Sequence, residues 1–295
     1  MSYEANSQWK LGIDYHITTS EFDKRNTSAY QLSILPGMDS LVYFITSGDD
    51  RALFLKTIHF APGTDGKPNS FADNLAHFLE KEELMGYLFR RIRVALPQAL
   101  AALVPNRLFQ AEELPTYLSA LTDLAEGEVT QADELSFGDI KVVYQQNVAV
   151  ADLLRKKFPT ARLYGMATPF IEAAARLKTE TRENYVVLNI YEGRLQLVHF
   201  NEGKALFYNS FPFHSASDVM YYTLLVYEQF QLDPAKVPLL LSGELMESSD
   251  IYKMLFRYVA DIHFTDLPDF ISWNKRFNDL PSHQFFTLFG LSRCK

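Results

Sequence analysis

Three aspartates, Asp39, Asp139 and Asp218, are the side chains that could be nominated to hold a pair of divalent cations, the chemistry by which carboxylates activate water against a phosphodiester. Each has a simpler assignment. Turn propensity accounts for Asp39 and Asp139, and Asp218 falls where a carboxylate caps a helix that starts at Ser215 or Ser217. Seven histidines are spread along the chain without His-x-His, His-Glu-x-x-His or Cys-x-x-Cys spacing, so no metal site is expected. His59 and His199 alternate within strand-like runs and read as packing residues. Gly63-Thr64-Asp65-Gly66-Lys67 has the glycine and lysine of a phosphate loop but neither its length nor the Ser/Thr that must follow. There is no Gly-x-Ser-x-Gly elbow, and the single cysteine is Cys294, which leaves nucleophilic catalysis without a candidate. Two glycines, Gly193 and Gly243, each follow a strand-like run, where a bare backbone can approach a ligand closely.

The composition narrows the partners. Thirty-six acidic against 28 basic residues give a formal charge of −8, which opposes a nucleic-acid backbone. Arg90-Arg91-Ile92-Arg93 alternates into a strand and Arg155-Lys156-Lys157 closes a helix, so both basic runs read as structural or solvated. One cysteine excludes an intramolecular disulfide, and the first thirty residues hold no apolar run. The expectation is a cytoplasmic protein with no nucleic-acid partner and no direct membrane insertion.

The elements repeat. Setting Ala52-Leu53-Phe54 against Ala205-Leu206-Phe207 aligns Tyr30 to Phe60 with Tyr185 to Phe213, each reading as strand, turn, strand, turn, strand. In the first copy Pro36-Gly37 and Ser47-Gly48-Asp49-Asp50 are the turns; in the second, Glu192-Gly193 and Asn201-Glu202-Gly203. A helix capped by Ser70 follows the first meander, with Phe71, Leu75, Phe78 and Leu79 at helical spacing. Strands are then expected at 87–96 and 99–109, a helix at 112–124, an acidic irregular stretch at 125–138, a strand at 140–144, a helix at 148–158, a strand at 161–166 and a helix at 169–177. After the second meander a helix presents Val219, Tyr222, Leu225, Val226 and Phe230 on one face. Pro238 to Leu241 is a run of the kind buried on both faces, followed by a helix at 248–259, a short strand at 262–264 and a helix at 281–291. The halves divide at the short charged passage 179–184.

A meander, a helix, then alternating strands and helices, written twice, is similar to the actin-like ATPase superfamily, in which two ribonuclease-H-like domains face each other. Leu103-Val104-Pro105-Asn106-Arg107-Leu108-Phe109 and Tyr30-Gln31-Leu32-Ser33-Ile34 look like a bacterial family of unknown function assigned to that fold. Its fold relatives include cytoplasmic scaffold proteins of type IV pilus and type II secretion assemblies. The resemblance implies an α/β chain of duplicated ribonuclease-H-like domains in an actin-like arrangement, with an N-terminal arm at 1–28, a first domain at 29–179 and a second at 180–295.

In active members each meander's first hairpin is a phosphate loop, with an aspartate holding a magnesium-bound water and glycines freeing backbone amides. Here the first turn is Leu35-Pro36-Gly37-Met38-Asp39-Ser40, where Pro36 removes an amide donor and Asp39 is a turn residue. The second has Asn189 where the aspartate would fall and Tyr191 where glycine would, followed by Glu192. A carboxamide carries no charge for magnesium, a tyrosine crowds the approach, and Glu192 repels phosphate. Leu239 to Glu244 resembles the adenosine-side strand with Glu244 in place of its second glycine. Two readings follow. The first is a non-catalytic actin-like scaffold or protein-binding module without a cofactor, its partner another protein. The alternative is a divergent ATPase or kinase in which Asn189, Gly193 and Gly243 contact ATP with magnesium.

Overall fold

A computed structural model of the chain describes residues 14–60, 70–98, 100–177 and 184–295. The expected loop at 62–68, the passage at 179–184 except Asn184, and the first half of the arm lie outside them. His16–Thr18 (β1) pairs antiparallel with the outer strand of a meander made of Gln31–Pro36 (β2), Ser40–Thr46 (β3) and Ala52–His59 (β4). Helix α1 (Phe71–Lys81), capped by Ser70, returns the chain to Arg91–Leu96 (β5), which joins β2 in parallel. An inserted unit follows: Ala101–Pro105 (β6), a one-turn helix Thr116–Ser119 (α2), Glu128–Glu134 (β7) and Ile140–Asn147 (β8), forming a separate antiparallel sheet with β8 in the middle. Helix α3 (Val148–Lys157) then leads to Arg162–Gly165 (β9), parallel to β5, and on into α4 (Ala167–Ala174).

The second half writes the same order without the insertion. Its meander is Asn184–Tyr191 (β10), Arg194–Asn201 (β11) and Lys204–Pro212 (β12). Helix α5 (Ala216–Gln229) leads to Leu239–Gly243 (β13), and α6 (Asp250–Leu255) to Ile262–Phe264 (β14). The sheet order β12-β11-β10-β13-β14 matches β4-β3-β2-β5-β9 in order and in strand sense. The alignment of Ala52 with Ala205 holds at the level of register: a bulge interrupts the ladder at Ile45/Thr46 opposite Ala52 and at His199/Phe200 opposite Ala205.

Period-two alternation places these strands between two apolar layers. Along β10, Val186, Leu188 and Ile190 face α5 and α6, while Tyr185 and Val187 face α4. In the first sheet, Leu32 and Ile34 pack toward α1 and α3. The opposite face, with Leu35, Val42, Phe44 and Leu55, is covered by Ile271, Phe277, Phe285, Leu288 and Phe289 from the end of the chain. Helix α7 (Phe286–Leu291) thus seals the first sheet although it follows the second, and α4 lies between α7 and the second sheet. Arg93 anchors this closure. Buried to 2% exposure, its guanidinium donates to the Cys294 carbonyl and to Gln31, so this part of the basic run is structural.

Three expectations are corrected. Residues 128–134 are a strand, not irregular; β7 is an edge strand with mostly polar side chains, so its order comes from the backbone ladder to β8 rather than from apolar alternation. The helix expected at 112–124 shrinks to α2, because Pro115 offers no N–H and the chain before it forms a separate 3-10 turn. On α5 the buried positions are Val219, Thr223, Val226 and Tyr227; Leu225 is 38% exposed, and Tyr222 stacks on Phe211 at 4.2 Å.

One carboxyl ties the inserted sheet to the body. Asp133 on β7 accepts from Tyr144 Oη at 3.1 Å, from the Gly165 amide at 2.9 Å and from Thr168 Oγ1 at 2.6 Å. Burial pushes its carboxyl up to about 7. The folded chain therefore keeps a proton there that the unfolded chain releases near pH 4. The stability this proton confers is complete below about pH 4, declines as pH rises toward 7 and is lost above it, a change on the order of 4 kcal/mol. Asp133→Asn can keep its oxygen on Gly165 and Thr168 and give its amide to Tyr144. It is expected to fold and to flatten that share of the pH slope in urea midpoints between pH 4.5 and 7.5; parallel slopes for variant and native chain would contradict the assignment.

Candidate functional site

The hairpins that would face each other across a nucleotide are the β2–β3 turn and the β10–β11 turn, and here they touch. Hydrogen-bonded closure sets the first: the Gly37 amide donates to the Ser40 carbonyl at 2.7 Å. The second is a two-residue turn with Glu192 at φ 50° and Gly193 at φ 69°, the left-handed pair that matches strand twist. Gly37 is the seat for the opposite loop. A Cβ added there would lie 2.2 Å from Glu192 Oε1 and 2.9 Å from Tyr191 Oη. The Tyr191 ring packs on the core formed by the first sheet and the C-terminal segment. Burial and the neighbouring Glu192 and Glu244 carboxylates hold its phenol well above the ordinary range, so it is a neutral plug.

The three nominated residues fall at this end of the second sheet. Asn189 and Gly243 are brought together on neighbouring strands, and Gly193 sits in the turn beyond them. Asn189, 2% exposed, is committed inside the protein: its amide donates to Gln196 Oε1 at 2.7 Å, and Ser242 Oγ lies 3.1 Å from its oxygen. Gln196 in turn donates to Tyr208 Oη at 3.0 Å. Gly243 has φ 84°, and a Cβ there would meet the Ile190 carbonyl oxygen at 2.0 Å, so the close approach it permits is to its own neighbouring strand. Around Gly193 such a Cβ meets nothing within 4 Å; its glycine answers the turn's left-handed backbone.

Backbone donors make a phosphate loop, and several of those at this junction are engaged. Pro36 has none. The Glu192 amide points to Glu244 Oε1 at 3.5 Å, the Glu244 amide donates to the Ile190 carbonyl at 2.7 Å, and the Leu245 amide to the Gly243 carbonyl at 2.8 Å. A carboxylate, Glu244, thus stands beside the second hairpin. Carboxylates at this junction repel a polyphosphate. What brings the two hairpins together is the seating of Tyr191 and Glu192 against Gly37.

Other nominated groups are dispersed. Asp139 accepts from the Asn106 side chain at 2.6 Å, and Asp218 completes a capping box with Ser215. Phe60 donates its amide to the Asp39 carbonyl. Among the described residues no three of His, Cys, Asp and Glu converge as a metal would require. His199, 2% exposed, bonds Asn184 at 2.7 Å and packs on Phe230, and burial lowers its basicity. Sequence reading missed Asp133 and the fully buried Glu172, which holds Ser136 and, one turn on, Arg176. Of these, the Glu172–Arg176 spacing was a readable helical pair.

Two facing units of this strand order, bridged by α4 and α7, define the actin-like ATPase fold. A Bacteroides thetaiotaomicron protein with actin-like ATPase fold and unknown function matches 94% of this chain and 100% of its own at TM-score 0.75 and 18% identity. The PilM-PilN type IV pilus biogenesis complex matches 89% of this chain and 97% of its own at TM-score 0.63 and 14% identity. The ethanolamine utilization protein EutJ from Carboxydothermus hydrogenoformans matches 90% of each chain at TM-score 0.52 and 10% identity. At these identities the likeness carries the fold alone. Curated proteins return no match. The chain belongs to the family described as Protein of unknown function (DUF3822), whose pattern spans residues 19–262.

Proposed function

We propose that this chain is a non-catalytic scaffold, a protein-binding module that keeps actin-like architecture after its phosphate loops have turned to holding the halves together. The observation that carries the reading is the seating of Tyr191 and Glu192 against Gly37, where an active relative needs open space and free amides. The PilM-PilN complex supports the protein-binding side, since there a protein of this fold is found with a partner. In this reading the two units, 29–179 and 180–295, are ribonuclease-H-like halves that arose by internal duplication. No helix among the described residues is long and apolar enough to cross a membrane, and the acidic charge suits a cytoplasmic protein.

Thermal unfolding with millimolar Mg-ATP tests the reading. A ligand at 100 times its dissociation constant stabilises the fold by about 2.7 kcal/mol, a shift of several degrees. The expected result is no shift. A saturable rise with Mg-ATP, absent with pyrophosphate and weakened by Gly243→Ala after correction for that variant's own stability, would return the chain to the ATP-binding class through Asn189, Gly193 and Gly243.

A further inference from the structure

A cleft of about 660 Å³ runs beside the last strand of the second sheet. Its lining is mixed: Leu240, Tyr252, Leu267, Phe270 and Phe286 stand among polar and charged residues, and β14 contributes Ile262, His263 and Phe264. β14 is the edge of the five-stranded sheet. Its pairing with β13 sets Leu239 opposite Ile262 and Leu241 opposite Phe264, and the flanking bonds run from the Leu239 amide to the Asp261 carbonyl and from the Thr265 amide to the Leu241 carbonyl. Bonding alternates along a parallel ladder, so Asp261, His263 and Thr265 direct their backbone groups to β13. Ile262 and Phe264 direct theirs to the open side.

Among the described residues, the charge in the lining has one sign to spare. Glu247 and Asp266 stand exposed in the lining. Of the cations there, Arg176 is committed to the buried Glu172, and His263 lies 2.6 Å from Asp261. A strand edge with no further strand on it among the described residues, apolar side chains in the lining beside it and exposed carboxylates there match one kind of occupant. Main-chain bonds to the edge give affinity, and alternate side chains of an extended segment reach those apolar side chains.

We infer that this cleft docks an extended peptide segment of a partner protein, added as a strand to β14, with Lys or Arg alternating with apolar residues. The inference rests on the protein-binding reading and names the chemistry of the partner. A phage-displayed library of linear octapeptides, selected against the full chain, supplies the probe. Recovered peptides are expected to alternate cationic and apolar residues and to bind Glu247→Lys/Asp266→Lys at least tenfold more weakly, since both substituted positions are exposed. N-methylation of alternate peptide amides should abolish binding, and bound peptide should slow amide hydrogen exchange at Ile262 and Phe264. Acidic peptides, peptides indifferent to both changes, or no enrichment would overturn the inference. The two readings fail separately: Mg-ATP stabilisation with a peptide bound at β14 removes the scaffold reading and keeps the docking edge, whereas no Mg-ATP effect and no peptide removes the edge alone.

Discussion

A chain ending at residue 179 is expected to be insoluble or molten, without the cooperative unfolding of the full chain. Its first sheet would lose the layer that covers one face. Leu35, Val42, Phe44, Leu55 and Ala95 are buried against Ile271, Phe277, Leu280, Phe285, Leu288, Phe289 and Leu291, all from the far end of the sequence. At about 1.5–3 kcal/mol for each buried large apolar side chain, uncovering Leu35, Val42, Phe44 and Leu55 costs on the order of 6–12 kcal/mol as an upper estimate. That is comparable to the whole stability of an ordinary domain, about 5–15 kcal/mol. The fragment also loses the Cys294 carbonyl that accepts from Arg93, and with it the bond that ties β5 to the end of the chain. Near-ultraviolet circular dichroism and urea unfolding of the fragment check this. A soluble fragment with a single sharp transition would mean that residues 29–179 complete their own core, and the two units would then be separable domains in the folding sense as well as in strand order.

The meanders were legible because their information is local. Alternation at period two and Gly- or Pro-bearing turns place each strand, and the alignment of Ala52 with Ala205 pairs two positions that each lie opposite a bulge, although nothing in the alignment announced the bulges themselves. At the junction the sequence shows which residues stand there, Asn189, Tyr191 and Glu192, where the resemblance implies charge, space and a neutral turn. What fills it was not legible. The Ser242–Asn189–Gln196–Tyr208 chain depends on cross-strand register, and the seat of Tyr191 at Gly37 joins loops from opposite halves. β7 and Asp133 escaped notice for a related reason. A polar edge strand carries no apolar period, and nothing in Glu128 to Glu134 marks which of its carboxyls turns inward. The covering of the first sheet by the end of the chain is likewise a tertiary fact; periodicity shows that helix 281–291 is apolar, not which sheet it seals.

Gly290→Ala is expected to destabilise the protein by about 3 kcal/mol, lowering its melting temperature by roughly 5–10 °C. The sign is the informative part, because alanine in place of glycine within an unconstrained helix is favourable by up to about 1 kcal/mol. Here the added Cβ would lie 2.1 Å from the Pro169 carbonyl oxygen and 2.8 Å from the Ala173 Cβ. Neither obstacle is a flexible side-chain end. Pro169 and Ala173 belong to α4, which is buried along its whole length; Phe170 and Ile171 are fully enclosed, and Glu172 is bonded to Ser136 and Arg176. Relief therefore requires α7 to move away from α4, and α7 carries Leu288 and Phe289 into the core of the first sheet. Gly86→Ala is the control: a Cβ there meets nothing within 4 Å, and its effect should stay within about 0.5 kcal/mol. If Gly290→Ala melts with the native chain, α4 and α7 have room to separate at little cost. The coupling of the two halves would then rest on the Gly37–Tyr191 contact and on the C-terminal cover of the first sheet rather than on close packing of α4 with α7.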